Sequence, residues 1–98
     1  MATLYYFDGD VLKEKEVTPE NPEKGFQLKE LYSMLDCDLV EIGHITETDI
    51  FVCDEEFRLK EGWEKRRNTM ANNHTIRLSG LNWDLAGNIL ICKDSEVK

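Results

Sequence analysis

An unbroken run of apolar residues near the end of the chain, 89–92, follows the pair Gly87-Asn88. A short apolar run that opens at a glycine turn is typical of a strand buried on both faces of a sheet. We therefore predict that residues 85–92 contain the central strand of the fold. The other elements are expected to pack beside this strand or over it.

The first third of the chain predicts a hairpin and a helix. Strands are predicted over 3–7 and 11–17, because the first is aromatic and β-prone, the second carries the charges of a solvated edge, and the turn Asp8-Gly9-Asp10 separates them. Both prolines fall in the next segment, 18–24, which is a predicted loop. Apolar residues at i, i+3, i+4 and i+7 then predict a short helix whose apolar face docks on the sheet: Leu28, Leu31, Tyr32 and Leu35.

The remainder of the chain predicts more strands and a second helix. The predicted elements are strands over 39–45, 49–53 and 57–60, a helix over about 62–72 that ends at Asn72-Asn73, and a short strand over 75–78. The second helix is predicted from spacings of three and four among Trp63, Arg67, Met70, Ala71 and His74. The first three of these strands would form a meander. The polar tail, 93–98, is expected to fray.

Together these elements predict the fold class α+β, with a mostly antiparallel sheet of about five to six strands and one or two short helices packed on it. The chain has 98 residues, which fits a single domain. Within 1–98, residues 1–24 form the predicted hairpin and loop, 25–92 the core, and 93–98 the tail.

A set of short motifs in the core resembles a known family. The motifs are Gly25-Phe26 with Leu28 and Leu31, Val40-Glu41-Ile42, Phe51-Val52 with Asp54-Glu55, Leu59-Lys60, Asn68 with Ala71, and Gly87-Asn88-Ile89-Leu90-Ile91. Their order and spacing over about 25–92 resemble the family catalogued as domain of unknown function 3846. The resemblance implies an α+β domain carried by a bacterial phage, plasmid or conjugative element, and it implies no activity.

Composition narrows the class of protein. The formal net charge is −8, so the chain is expected to be soluble and to repel nucleic acid and anionic membranes. It lacks the run of about 18 apolar residues that a membrane span needs and a basic-then-apolar N-terminus. Its three cysteines form no CxxC pair, which favours buried thiols in a reducing cytoplasm over disulfides or zinc. We expect no metal and no cofactor.

Charge is unevenly placed along the chain. Residues 1–57 hold fifteen acids and four bases, whereas 58–77 hold six bases and two acids. An acidic protein with one basic segment has a dipolar surface that can orient a charged partner over roughly 8 Å at physiological salt.

The basic segment contains the predicted contact residues. They are Trp63, Arg66, Arg67, Asn68, His74 and Arg77. Guanidinium groups suit phosphate or carboxylate, and tryptophan can stack on a base. This set predicts either a pocket for an anion or nucleotide, or a patch that contacts a protein. In the alternative interpretation, the arginines pair with the protein's own acids, Trp63 is a core residue, and Asn68 caps a nearby strand or loop.

A second predicted surface is acidic. Its residues are Asp8, Asp10, Glu14, Glu16, Glu20 and Glu23. Such a surface could imitate the phosphates of DNA toward a host nuclease, or it could simply confer solubility.

No catalytic motif is present, and His44 alternates with apolar residues as a half-buried strand residue would. We therefore predict a non-enzymatic phage or mobile-element protein that binds a host protein stoichiometrically, with inhibition of a defence factor as one form. The alternative is binding of a small anionic ligand such as a nucleotide. Direct nucleic-acid binding is not expected, and both a monomer and a homodimer are compatible with the sequence.

Overall fold

A computed structural model describes residues 2–97 of the chain. The strands are β1 (Ala2–Asp8), β2 (Val11–Val17), β3 (Val40–His44), β4 (Asp49–Asp54) and β5 (Ile89–Lys93). They form one sheet in the order β2-β1-β5-β4-β3, and every neighbouring pair is antiparallel. The predicted antiparallel sheet and both predicted hairpins are confirmed.

Over the residues that the structure describes, two α-helices and three short 3-10 helices complete the fold. The helices are α1 (Leu28–Leu35) and α2 (Thr69–Ser79), and the 3-10 turns are Phe57–Leu59, Trp63–Arg66 and Asp94–Glu96. The predicted α+β class, with two short helices on the sheet, is therefore confirmed.

The strand β5 lies at the centre of the sheet and is buried on both faces, as the apolar run predicts. Leu90 and Cys92 belong to one cluster of core side chains, together with Leu31 of α1. Ile89 and Ile91 belong to a second cluster, which also contains residues of α2. Because successive strand residues point to opposite faces, α1 and α2 cover opposite faces of the sheet.

Helix α1 lies where the sequence predicts it. Gln27 and Glu30 form a capping box at its start, and Asp36 ends it in the left-handed conformation. Leu31 and Leu35 are buried against the sheet, and Phe26 is buried beside them. Leu28, which the spacing places on the docked face, is exposed because it opens the helix, so that part of the prediction is wrong.

The prediction of a helix over 62–72 is wrong. Residues 63–66 form a 3-10 turn, and α2 begins only at Thr69 because Asn68 is its N-cap and accepts the amide of Ala71. The helix then continues to Ser79, so Asn72-Asn73 does not end it. Residues 75–78, a predicted strand, lie inside α2.

The prediction of a strand over 57–60 is also wrong. Phe57 is buried in the core, whereas Leu59 is 80% exposed. In a strand these two side chains would share a face, and a 3-10 turn separates them. The second neighbour of β4 is therefore β5, and the predicted three-stranded meander is reduced to a hairpin.

The tail does not fray over the residues that the structure describes. The amide of Phe26 donates to the carbonyl of Glu96 at 2.7 Å. Val97 forms a parallel bridge with Phe26 and packs on the core. The last residue of the predicted tail, Lys98, lies outside the described residues.

The cysteines are free thiols, as the sequence predicts. Cys53 and Cys92 are buried, and burial raises the pKa of each to about 12. Cys37 is half-buried, and its pKa is raised by burial and by the nearby carboxylate of Asp54. None of the helices formed by residues 2–97 is long and apolar enough to cross a membrane.

Candidate functional site

A cleft of about 200 Å³ opens at one end of the sheet. It lies where α1 and β4 end and where β5 begins, and the 3-10 turns over 57–66 form its outer wall. Trp63 and Arg66, two of the six predicted contact residues, line it. The cleft therefore brings together part of the predicted set.

The charges that line the cleft are mixed. Lys60 and Arg66 are its cations, and Asp36, Asp54 and Glu61 are its acids. Lys60 is already bound to the nearly buried Asp54, with Nζ 2.7 Å from Oδ2, and this bond raises the pKa of Lys60. The cleft thus lacks the positive surplus that an anion pocket requires.

Arg66 is held in place by groups that carry no formal charge. Its guanidinium carbon lies 4.2 Å from the centre of the Phe7 ring, and Nη1 donates to the carbonyl of Gly9 at 3.1 Å. The backbone carbonyl of Arg66 accepts the amide of Gly87, which fixes the chain at this point. The side chain is exposed. It can therefore still form a bidentate bond with an incoming carboxylate or phosphate.

Besides Arg66, two further arginines belong to this region, and both lie over the ring of Trp63. The guanidinium carbons of Arg58 and Arg67 lie 5.8 Å and 5.0 Å from the centre of its ring, and the Phe57 ring packs edge-on at 5.7 Å. Trp63 is half-buried against the core cluster of α2, so both the core and the contact interpretations apply to it. Arg67 also pairs with Asp84 at 2.8 Å, whereas Arg58 lies only over the two rings.

We call this exposed region the aromatic–arginine surface. It comprises Arg58, Trp63, Arg66 and Arg67 and the rings of Phe7 and Phe57 on which the arginines lie. The predicted set does not include Arg58 or Lys60, although both belong to the basic segment. Both fall within the predicted strand over 57–60 and outside the predicted helix over 62–72.

Asn68 is part of the scaffold and not of the cleft wall. It is fully buried, and its side chain donates to the carbonyls of Tyr5 and Gly87 at 3.1 and 2.9 Å. Its side-chain oxygen accepts the amide of Ala71 at 3.0 Å. The capping interpretation therefore accounts for all of its polar atoms.

His74 and Arg77 lie on α2, away from the lining of the cleft. The Nδ1 of His74 is 2.8 Å from the hydroxyl of Tyr5. Burial and the neighbouring Arg77 lower the pKa of His74, and burial raises the pKa of Tyr5. These residues form a separate polar contact between α2 and β1. The predicted set is thus divided into three places.

The predicted acidic surface is not one face, because the register of β1 and β2 separates its members. Glu14 pairs with Tyr5 and therefore lies on the α2 side of the sheet with Glu16. Asp8 lies on the opposite side, where it pairs with Lys13 at 2.8 Å. Asp10 belongs to the turn between the two strands, and Glu20 and Glu23 precede α1.

His44 is exposed on β3 and not half-buried, because β3 is the last strand of the sheet. Within residues 2–97, no three His, Cys, Asp or Glu side chains lie close enough together to hold a metal ion.

Comparison with protein-family models, curated protein sequences and solved structures finds no match to the chain. The resemblance to the domain of unknown function 3846 family therefore stays a prediction.

Proposed function

We propose that this chain is a non-enzymatic binding protein that makes a stoichiometric contact with a protein partner through the aromatic–arginine surface. The partner would present carboxylates flanked by apolar groups. The observation that carries the proposal is that Arg58, Arg66 and Arg67 each lie over an aromatic ring while remaining exposed.

Stacking supports the proposal because it reduces the cost of binding. A free arginine side chain loses up to about 2 kcal/mol of rotamer entropy when it is immobilised. Arginines that already lie on rings lose less of this entropy upon binding. Tryptophan and arginine are also the residues that most often dominate the energy of protein interfaces.

The pairing of charges favours the same surface. Among the residues that the structure describes, Arg58 and Arg66 have no carboxylate partner, so they would not have to break an ion pair. Arg67 is paired with Asp84, but exposed pairs contribute at most about 1 kcal/mol and can be exchanged. The chain as a whole carries a net charge of −8, so these arginines make its surface dipolar, and the dipole would turn the carboxylates of an approaching partner toward them.

The resemblance to phage and mobile-element proteins suggests what kind of partner to seek. In such a setting the partner would be a protein of the bacterial host cytoplasm, and inhibition of a defence factor would be one consequence of binding. This part of the proposal depends on the resemblance alone.

Affinity capture from host lysate with matched variants tests the proposal. The variant R58E/R66E reverses the two arginines that have no carboxylate partner. The variant K24E/K29E changes the net charge equally at exposed lysines elsewhere. We expect the wild type and K24E/K29E to retain the same protein in stoichiometric amount, and R58E/R66E to lose it. If all three retain the same proteins, the proposal is wrong.

Binding of a small anionic ligand such as a nucleotide is the second candidate. It is favoured by Trp63 and Arg66 lining one cleft, and it is opposed by the three acids beside them. A nucleotide that binds the folded state raises the thermal midpoint. A panel of nucleotides that raises the midpoint of the wild type, but not that of R66E, would favour this candidate over the first.

A further inference from the structure

Within residues 2–97, the strand β3 is the last strand of the sheet and pairs only with β4. We infer that two copies of this chain associate through β3, in an antiparallel arrangement about a two-fold axis, and so form one sheet that continues across both copies.

The hydrogen bonds to β4 identify the outward groups. The amide of Ile45 donates to the carbonyl of Asp49 at 2.8 Å, and the amide of Glu55 donates to the carbonyl of Leu39 at 3.0 Å. In an antiparallel pair, hydrogen-bonded residues alternate with residues whose backbone groups point away. The odd-numbered residues of β3 therefore bond to β4, and the backbone groups of Val40, Ile42 and His44 point outward.

A two-fold axis at Ile42 uses all three outward residues. Ile42 would then pair with Ile42 of the second copy, and Val40 with His44 of the second copy. Each such pair exchanges two backbone hydrogen bonds, which gives about six across the junction.

The side chains are compatible with this register. Glu41 is the only carboxylate within β3, and it would lie opposite Gly43 of the second copy, which has no side chain to oppose it. Ile42 is 44% exposed, and the two-fold axis would bring the two isoleucines together on the α1 side of the sheet. Leu39, which is also exposed, would lie opposite Ile45 of the second copy.

The other edge strand, β2, cannot associate in this way without repulsion. Lysines occupy its positions 13 and 15, and glutamates occupy 14 and 16. A two-fold axis perpendicular to the sheet keeps each side chain on its own face, so lysines would meet lysines and glutamates would meet glutamates. Like charges therefore protect β2, whereas β3 carries no such protection.

Sedimentation equilibrium over a concentration series tests the inference with matched edge variants. I42K places a charge at the proposed axis, and V11K places the same charge on β2 at a residue that is also exposed. We expect the wild type and V11K to rise from 11.4 kDa toward twice that mass, and I42K to stay monomeric. The far-UV circular dichroism of I42K should match that of the wild type, and its thermal midpoint should match that of the wild type diluted until it is monomeric. A wild type that is monomeric up to about 1 mM, or an I42K variant that dimerises like the wild type, would overturn the inference.

Disulfide formation tests the register. Paired residues in this arrangement have Cα atoms about 5.5 Å apart, which suits a disulfide. The variant I42C should therefore cross-link to itself under mild oxidation. In H44C the two new thiols would lie about 14 Å apart, so this variant should cross-link no more than the wild type. Cross-linking of H44C in preference to I42C would refute the register and the two-fold axis at Ile42.

Discussion

Asn68 joins three elements of the fold, and its replacement by alanine tests how the site is held together. Its side chain reaches β1 through the carbonyl of Tyr5, the start of β5 through the carbonyl of Gly87, and the first turn of α2 through the amide of Ala71. N68A removes all three hydrogen bonds of this fully buried side chain.

The expected cost follows from these contacts. Loss of an N-cap destabilises a protein by about 1 kcal/mol. A buried polar group left without a partner costs about 1–3 kcal/mol, and N68A leaves the buried carbonyl of Tyr5 without this donor, whereas the carbonyl of half-buried Gly87 can be reached by water. We therefore expect N68A to lower the free energy of unfolding by about 2–4 kcal/mol, which is toward the upper end for a single substitution.

The isosteric variant N68D separates the cap from the donors. An aspartate keeps an acceptor for the amide of Ala71, but when ionised it cannot donate to the two carbonyls and its charge is buried. We expect N68D to be at least as destabilised as N68A at pH 7. Part of its stability should return at pH 5, because burial raises the pKa of the new carboxyl and favours its protonated form.

Urea unfolding monitored by tryptophan fluorescence and circular dichroism measures these changes. N73A is the matched control, because Asn73 lies on the exposed side of the same helix and should change stability by less than about 0.5 kcal/mol. A loss below about 1 kcal/mol for N68A, or equal losses for N68A and N73A, would refute this account of the site.

Three further predictions concern the core and its titrating groups. In G43A, the added methyl group meets the ring of Phe51 that covers this glycine, and we expect thermal or urea unfolding to detect a loss of about 1–3 kcal/mol. The fold lowers the pKa of His74, so as the pH falls the unfolded chain binds a proton at a higher pH than the folded chain does. The free energy of unfolding should therefore decrease as the pH drops below about 6.5. In urea titrations from pH 8 to 5, H74Q should show a smaller decrease than the wild type. A thiol reagent at pH 8 should modify Cys37 alone in the folded protein and reach Cys53 and Cys92 only after unfolding, as mass spectrometry would show.

Much of the fold could be predicted because its elements have simple hydrophobic periods. The apolar run 89–92 marks a strand buried on both faces, and the spacing of Leu31 and Leu35 marks the buried face of α1. The charged alternation of 11–17 marks an edge strand. In each case the local pattern and the tertiary environment agree.

Helix α2 could not be delimited in this way because its buried face is largely polar. Asn72 and Thr75 are buried, and Asn72 exchanges two hydrogen bonds with the backbone of Leu85. A hydrophobic period cannot detect such a face. The apparent period that begins at Trp63 is accidental, because the chain leaves the helical conformation at Arg67 and the cap Asn68 starts a new element.

Only part of the candidate site could be predicted, because a local pattern detects residues that are close in sequence and not contacts between distant segments. Trp63, Arg66 and Arg67 do lie together, since they are close in sequence. The contributions of Phe7 and Gly9 come from the β1–β2 hairpin, more than fifty residues away, and no local pattern indicates that Arg66 reaches it. His74 and Arg77 are separated from the cleft because α2 begins six residues after Trp63.

The most direct measurement of the central claim is a calorimetric titration of the captured partner with the wild type, R58E/R66E and K24E/K29E at two salt concentrations. We expect one partner per protomer, an affinity that falls with salt, and at least about a tenfold loss of affinity in R58E/R66E alone. Equal affinities for R58E/R66E and the wild type would contradict the claim that the aromatic–arginine surface is where this protein binds.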